Sequence, residues 1–272
     1  GSKLALLQTN QIRDLLLSAH PHLDIHINII RTKGDKRLTQ PLHELGGKEV
    51  FTAEIEDALM QRHIDLAVHS LKDLPSSLSN GLIYIGSPLR EDVRDVFVST
   101  KWKSIDEVPK GGRIATGSIR RKAQLLQQRP DLDILGLRGN IDTRLRKLDE
   151  SDWDGIITAA AALHRLDLKD RISQYLDPDI FVPAGGQGAL GLEMVVDHED
   201  MNLILDAIVD NNTTRCCWAE RIYLNKMEGG CSSPTGCWAR IKEGALYITA
   251  YSACLDGSRH LNKTVHGKIV DA

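Results

Sequence analysis

Residues 64–75 read Ile64-Asp65-Leu66-Ala67-Val68-His69-Ser70-Leu71-Lys72-Asp73-Leu74-Pro75. The apolar run at the start is short enough to be a buried strand. It runs out near Ser70. Pro75 biases Leu74 away from helix and turns the chain off the sheet. Lys72 and Asp73 therefore fall just past the carboxyl end of a strand, which is where open α/β sheets bind ligands. Alone, the pair reads equally well as a solvated turn with an incidental ion pair.

Toward the N-terminus, residues 2–18 predict a helix, with Ser2 as N-cap and Leu4, Leu7, Leu15 and Leu16 near helical spacing. Residues 24–30 alternate, with Ile25, Ile27 and Ile29 apolar, which predicts a strand. Lys33-Gly34-Asp35 is a turn, and Gly46-Gly47-Lys48 precedes a second helix at about 52–61. Residues 82–85 read as another strand. Helices alternating with strands argue a mostly parallel sheet.

Residues 88–92 read as a crossover, after which the α/β pattern restarts. Strands are expected at 96–98, 113–116, 132–135 and 156–158. Helices are expected from Ser118, from Asn140 to about Leu148, and after residue 158. Glycines at 185, 186 and 188 break the chain. Residues 189–196 are extended and read as a return to the first lobe. A helix over 213–227 ends at Gly229-Gly230. Three strands follow at 238–242, 246–254 and 264–270, joined by turns at Glu243-Gly244 and Asp256-Gly257, an antiparallel meander. The expected division is an α/β lobe over 1–88 and 189–210, a second α/β lobe over 89–188, and a small α+β domain over 211–272.

The composition suits a globular protein of two or three domains: 272 residues, 42% hydrophobic and 26% charged. A net charge of −3 supplies no global field for nucleic acid or membrane. Aromatics are only 4%, too few for a stacking platform for single-stranded nucleic acid. No apolar run approaches the roughly 20 residues of a membrane helix, and no signal peptide is visible. The chain opens on Gly1-Ser2-Lys3 and stops at Val270-Asp271-Ala272, mid-strand by pattern, so both ends read as incomplete. Five cysteines, at 216, 217, 231, 237 and 254, are an odd set with an adjacent pair, which fits a reducing compartment better than a disulfide framework. Cys231 and Cys237 lack zinc-site spacing, and no metal is expected.

Chemistry gathers at element ends. In Thr116-Gly117-Ser118-Ile119-Arg120-Arg121 a strand ends, glycine allows a tight turn and Ser118 caps a helix. A helix start binds anions, and two arginines in its first turn suggest an anion waiting there, against the alternative of a solvated basic face. Arg138 lies between a strand and the helix start at Asn140, and Arg144 lies one turn in, although Asp142 and Arg146 also fit plain helix pairing. With Arg90 and Arg165 these residues place several guanidiniums at element ends in or beside one lobe. Arginine suits bidentate carboxylate recognition, so the implied ligand carries several carboxylates. Asp73 is then the odd carboxylate among cations, able to stabilise a developing cation or to shuttle a proton. Cys231, after two glycines, reads either as a small buried hydrophobe or as a covalent attachment point. For Cys216, Cys217 and Cys254 the buried reading stands.

Taken in order, several stretches resemble the porphobilinogen deaminase (hydroxymethylbilane synthase) family nearly end to end: GSKLAL at 1–6, Gly46-Gly47-Lys48, HSLKDLP at 69–75, REDVRD at 90–95, TGSIRR at 116–121, LRGNIDTRL at 137–145, GQGALG at 186–191, AER at 219–221 and EGGCSSP at 228–234. The resemblance implies two α/β lobes similar to periplasmic binding proteins enclosing a cleft, plus a small C-terminal α+β domain with an antiparallel sheet. It implies a transferase that condenses four porphobilinogen molecules head to tail, losing ammonia each time, on a dipyrromethane cofactor. The enzyme builds that cofactor from its own substrate, and water then releases hydroxymethylbilane.

By the same resemblance Cys231 holds the cofactor through a thioether. Asp73 is the catalytic carboxylate that steadies cationic, azafulvene-like species. Lys72, Arg120, Arg121, Ser118, Thr116, Arg138, Arg144 and Gln187 contact the cofactor, and Ser2, Lys48, Arg90 and Arg165 the substrate. A cytoplasmic monomer is implied, with an organelle left open. The sequence starts too late to show the family's first strand or the Arg usual just before Gly1, and it stops short of the family's C-terminal helix. It also has Gly117 in place of the middle Ser of T-S-S, and Gly185 in P-A-V-G-Q-G. The competing reading is a non-catalytic two-lobed polycarboxylate-binding protein. That reading leaves Asp73 and the Gly-Gly-Cys loop without a task.

Overall fold

Ser2 starts the first helix as expected: its Oγ accepts from the Ala5 N–H at 3.2 Å. The computed structural model describes residues 2–30, 32, 52–227 and 234–269. In chain order the first elements are α1 (Lys3–Ala19), α2 (Ala53–Met60), β1 (Ala67–Ser70) and β2 (Leu82–Gly86). Then come β3 (Asp95–Val98), β4 (Arg113–Thr116), α3 (Ile119–Gln128), β5 (Asp133–Gly136), α4 (Ile141–Asp149), β6 (Gly155–Ala159), α5 (Ala160–Arg165) and β7 (Gln174–Tyr175). The last are β8 (Leu190–Val195), α6 (Glu199–Asp206), α7 (Asn211–Met227), β9 (Thr235–Lys242), β10 (Ala245–Ala253) and β11 (His260–Lys268). The chain divides into two compact units, Gly1–Glu91 with Ala189–Trp218, and Asp92–Gly188 with Ala219–Ala272. Residues 219–272, read above as part of a separate domain, group with the second.

The first unit is built on a sheet of order β1-β8-β2 in which β8 runs antiparallel to both neighbours. This corrects the expectation of a mostly parallel sheet. Alternating helices and strands favour parallel pairing, but the direction of each pair depends on which strand becomes the neighbour. Here the place between β1 and β2 is taken by a strand that arrives more than a hundred residues later. One face of β8 packs Leu190, Leu192 and Met194 against Ile12 and Leu16 of α1 and Leu205 of α6, a helix the sequence reading had missed. On the other face Leu59 of α2 packs with Ala67 and Leu82. Residues 24–30, predicted as a strand, join no ladder with a described strand. Their alternation persists as alternating exposure only over residues 24–28, with Ile25 packed on the α1 cluster and Ile29 exposed. Period-2 patterning chooses a face, but a strand also needs a hydrogen-bonding neighbour.

The second unit holds a five-stranded sheet of order β5-β4-β6-β3-β7, parallel between β4 and its neighbours and antiparallel around β3. Successive residues go to opposite faces. Val96, Val98, Ala115 and Ile156 enter one core cluster, and Phe97, Ile114 and Ile157 enter another. β9, β10 and β11 form the expected antiparallel meander. The turn between β9 and β10 has positive φ at Glu243 and Gly244 (51° and 74°), the backbone twist that suits a two-residue hairpin.

Glu220 ties the parts of this unit together. It is fully buried, with Oε2 accepting from the Gly186 N–H at 2.6 Å and Oε1 from the Ala239 N–H at 2.7 Å. A carboxylate on α7 thus satisfies backbone donors of the 183–188 loop and of β9. Glu220→Ala is expected to lower unfolding free energy by about 2–5 kcal/mol, because two buried N–H groups lose their acceptor. Urea titration of the variant would check this, and an unchanged midpoint would count against the tie.

Candidate functional site

The segment after β1 is a single 3-10 turn, Leu71–Asp73. Leu74 is extended (φ −76°, ψ 130°), as a residue before proline should be. Leu71 and Leu74 are buried, and between them Lys72 is half-buried and Asp73 exposed. The apolar pair is driven inward, which turns the two charged head groups outward.

Several contacts fix this turn within the first unit. The Leu71 N–H donates to the Ala189 carbonyl at 3.0 Å. Gln8 of α1 donates from Nε2 to Ser70 Oγ at 2.8 Å, and Ser70 Oγ lies 3.2 Å from Gln8 Oε1. His69 Nε2 lies 2.8 Å from Glu193 Oε2 on β8, with both side chains buried. Lys72 and Asp73 thus sit at the end of a strand held from α1 and from β8.

The second unit carries most of the expected cationic residues. Ser118 caps α3, its Oγ accepting from the Arg121 N–H at 3.4 Å, and Thr116 Oγ1 accepts from the Ser118 N–H at 3.3 Å. Gly117 lies so close to the Leu137 carbonyl oxygen that a Cβ would collide with it. Asn140 caps α4 by accepting from the Thr143 N–H at 2.9 Å. Arg138, just before it, is exposed. Arg144 donates from Nε to the Gly139 carbonyl at 2.7 Å, and Arg165 donates from Nη2 to the Gly188 carbonyl at 2.8 Å. Both guanidiniums are thereby oriented by backbone acceptors. Arg90 belongs to the first unit, where its N–H donates to Thr213 Oγ1 at 3.3 Å.

Arg120 and Arg121 meet an anion inside the chain. The sequence reading has them waiting for an outside anion, but the structure shows that the chain supplies one. Asp95, at the head of β3 and fully buried, takes Arg120 Nη1 on Oδ2 at 2.8 Å and Arg121 Nη2 on Oδ1 at 2.7 Å. Arg120 Nη1 also donates to the Val182 carbonyl at 2.6 Å. Gln187, implied above as a cofactor contact, is fully buried as well. Its Nε2 donates to Asp95 Oδ1 at 2.9 Å and to the Val93 carbonyl at 2.8 Å, and its Oε1 accepts from Arg121 at 3.3 Å. All three thus take part in one internal network around Asp95. Burial works to raise the Asp95 carboxyl, yet the charges and hydrogen bonds of Arg120 and Arg121 outweigh it and hold the group well below its usual value. Burial pulls Arg120 down, against the attraction of Asp95.

Cys231 and Lys48 lie outside the described residues. Two features were missed in the sequence: Asp95 as the partner of the arginines, and Glu193 as the partner of His69. The one local signal for Asp95 was an acid at the head of the apolar run Val96-Phe97-Val98. Nothing local marked Glu193.

A family model described as "Porphobilinogen deaminase, dipyromethane cofactor binding domain" matches residues 1–203, and one described as "Porphobilinogen deaminase, C-terminal domain" matches 214–272. The chain belongs to the porphobilinogen deaminase family. It is similar to the porphobilinogen deaminase of Syntrophobacter fumaroxidans, 46% identical over 94% of this chain and 83% of that protein. It is also similar to that of Syntrophotalea carbinolica, 45% identical over 100% of this chain and 86% of that protein. That of Brevibacillus brevis is 43% identical over 98% and 87%. Among solved structures it is similar to the methionine binding protein MetQ, 14% identical with a TM-score of 0.48, over 84% of this chain and 91% of that one. No helix among the described residues is long and apolar enough to cross a membrane.

The Asp95 cluster makes a pH prediction for this porphobilinogen deaminase family member. The folded-state value of Asp95 is depressed, so its contribution is fully present above the ordinary carboxylate value of 3.8 and is lost as pH falls below that toward the depressed value. Asp95→Asn leaves two buried guanidiniums without their counter-charge. It is expected to cost about 3–5 kcal/mol at neutral pH and to flatten the acid limb of the stability profile. Denaturant titrations at pH 7 and at pH 3 on both proteins would show it. Parallel acid limbs would remove Asp95 from the argument.

Proposed function

We propose that this protein is a hydroxymethylbilane synthase, joining four porphobilinogen molecules head to tail with loss of four ammonia and releasing hydroxymethylbilane with one water. The observation that carries the reading is the Lys72–Asp73 turn: an exposed carboxylate beside a lysine, on a strand end fixed from two directions, in a chain matched by its family along nearly its whole length. Each condensation needs a cation stabilised as the amine leaves and a proton moved afterwards. An exposed carboxylate on an anchored turn suits both tasks. Asp73 is therefore assigned the catalytic role, and Lys72 the holding of substrate carboxylates.

The cofactor reading rests on donor chemistry. A dipyrromethane would supply the covalent primer to which substrate is joined, and Cys231 is its proposed attachment. The described residues fit its carboxylate side chains. Arg138 and Arg144 are guanidiniums at the start of α4. Ser118 and Thr116 use their oxygens as acceptors toward backbone N–H groups, and each hydroxyl still has a proton to donate. Lys48, Arg90, Arg165 and Ser2 are assigned to substrate on the same grounds, Ser2 being a helix cap of the same kind. A monomer in the cytoplasm belongs to the same proposal.

Three outcomes are expected. Purified protein carries a mass excess equal to a condensed pyrrole pair on the Cys231 peptide, and Cys231→Ser carries none. Added porphobilinogen is consumed with release of ammonia. Asp73→Ala keeps the fold by circular dichroism and loses turnover by about 100-fold or more. Binding of porphobilinogen without ammonia release in the cofactor-loaded protein would return the chain to a polycarboxylate-binding role. Arg138→Leu and Arg144→Leu should raise KM or lower cofactor retention about tenfold each, measured by steady-state kinetics and intact mass.

A further inference from the structure

His69 opens the segment that carries Lys72 and Asp73, yet the proposed chemistry makes no use of it. It is 7% exposed and meets Glu193, which is fully buried. In the register of β1 with β8, Ala67 faces Glu193 and His69 faces Gly191. The His69–Glu193 pair is thus a diagonal one on a single face of the sheet. Glu193 Oε1 is buried without a hydrogen-bond partner among the described residues. A buried carboxylate satisfied on one side only costs stability, and an apolar pair of similar volume would avoid that cost. Arrangements of this kind persist where the geometry they enforce is used.

The turn that follows lies over the same face. A Cβ on Gly191 would stand 2.9 Å from Leu71 Cδ1 and 3.7 Å from Leu71 Cα. Leu71 therefore folds back over bare β8 backbone, one step along the sheet from the buried pair. Its N–H is tied to the neighbouring Ala189 carbonyl. The pair, the bare glycine and the turn form one continuous stack along β8.

We propose that His69 and Glu193 are positioning residues for the reaction. They pin the last residues of β1 to β8 on the face over which the Leu71–Asp73 turn folds, and so set where Lys72 and Asp73 present their head groups. The inference rests on the reading of Asp73 as the catalytic carboxylate. Neither side chain touches substrate; both act through the turn. The lever is large, because a displacement of about 1 Å at a catalytic group can cost about 100-fold in rate.

The test is a double-mutant cycle of His69→Gln and Glu193→Gln, reading kcat, KM, attached-cofactor mass and melting temperature. Each single variant is expected to lower kcat about tenfold or more, with KM within about twofold and cofactor mass unchanged, and the double variant to be no worse than the poorer single. Unchanged kcat per cofactor-loaded molecule in both singles, whatever happens to the melting temperature, would overturn the proposal, as would fully additive losses. If one of the two substitutions prevents folding, the other decides by the same readings. A loss confined to kcat supports the proposal, and wild-type kcat overturns it. Asp73→Ala is measured alongside. Normal turnover there would sink the catalytic reading and this inference together, whereas an inactive Asp73→Ala beside normal His69 and Glu193 variants would sink this inference alone.

Discussion

Two guanidiniums and one carboxylate share the interior of the second unit, and the local architecture follows from that. A buried charge must be met by an opposite charge and by hydrogen bonds, or the chain does not fold around it. Asp95 meets Arg120 and Arg121, and Gln187 and the Val182 carbonyl take up further polar atoms. This joins the head of β3, the first turn of α3 and the loop before β8. The loop is held again by Glu220, and through Glu220 by β9. A single network of charge-assisted bonds therefore sets where the start of α3 lies, and with it Ser118 and Thr116.

The first unit solves a different problem. Its sheet has a centre strand drawn from a distant part of the chain, so that β1 and β2 meet only through β8. That places Glu193 and Gly191 beside His69 and Leu71. The turn bearing Asp73 is therefore shaped by residues about 120 positions further along. Its two leucines are buried, its backbone is bonded to Ala189 and its preceding serine to α1. Burial of apolar neighbours anchors the turn, and the exposed carboxylate has no ion-pair partner among the described residues. Asp95 shows the opposite use of the same side chain, wholly consumed by internal pairing.

Local patterns were read well where local physics decides. Ser2, Ser118 and Asn140 are helix caps, as a small oxygen-bearing side chain before a helical run implies. β4 spans residues 113–116, and the three C-terminal strands pair as a meander around turns marked by glycine. Patterns failed where a partner was needed. Residues 24–30 alternate as a strand would and join no described ladder. The basic turn at Arg120 and Arg121 reads as an anion site, and a sequence displays charges without showing that Asp95 already pairs with both.

By itself the sequence determined the helix starts at Ser2, Ser118 and Asn140, the strand periods, the turn at Lys72–Asp73 and, through its motifs, the family. These depend on neighbours within a few residues, where backbone sterics and capping bonds act. Only the tertiary structure decided that β8 lies between β1 and β2, that Asp95 answers Arg120 and Arg121, and that Glu193 holds His69. Each of these joins residues 25 or more positions apart. Pairing at that range is selected by the burial and hydrogen bonding of the whole unit, which no local pattern encodes.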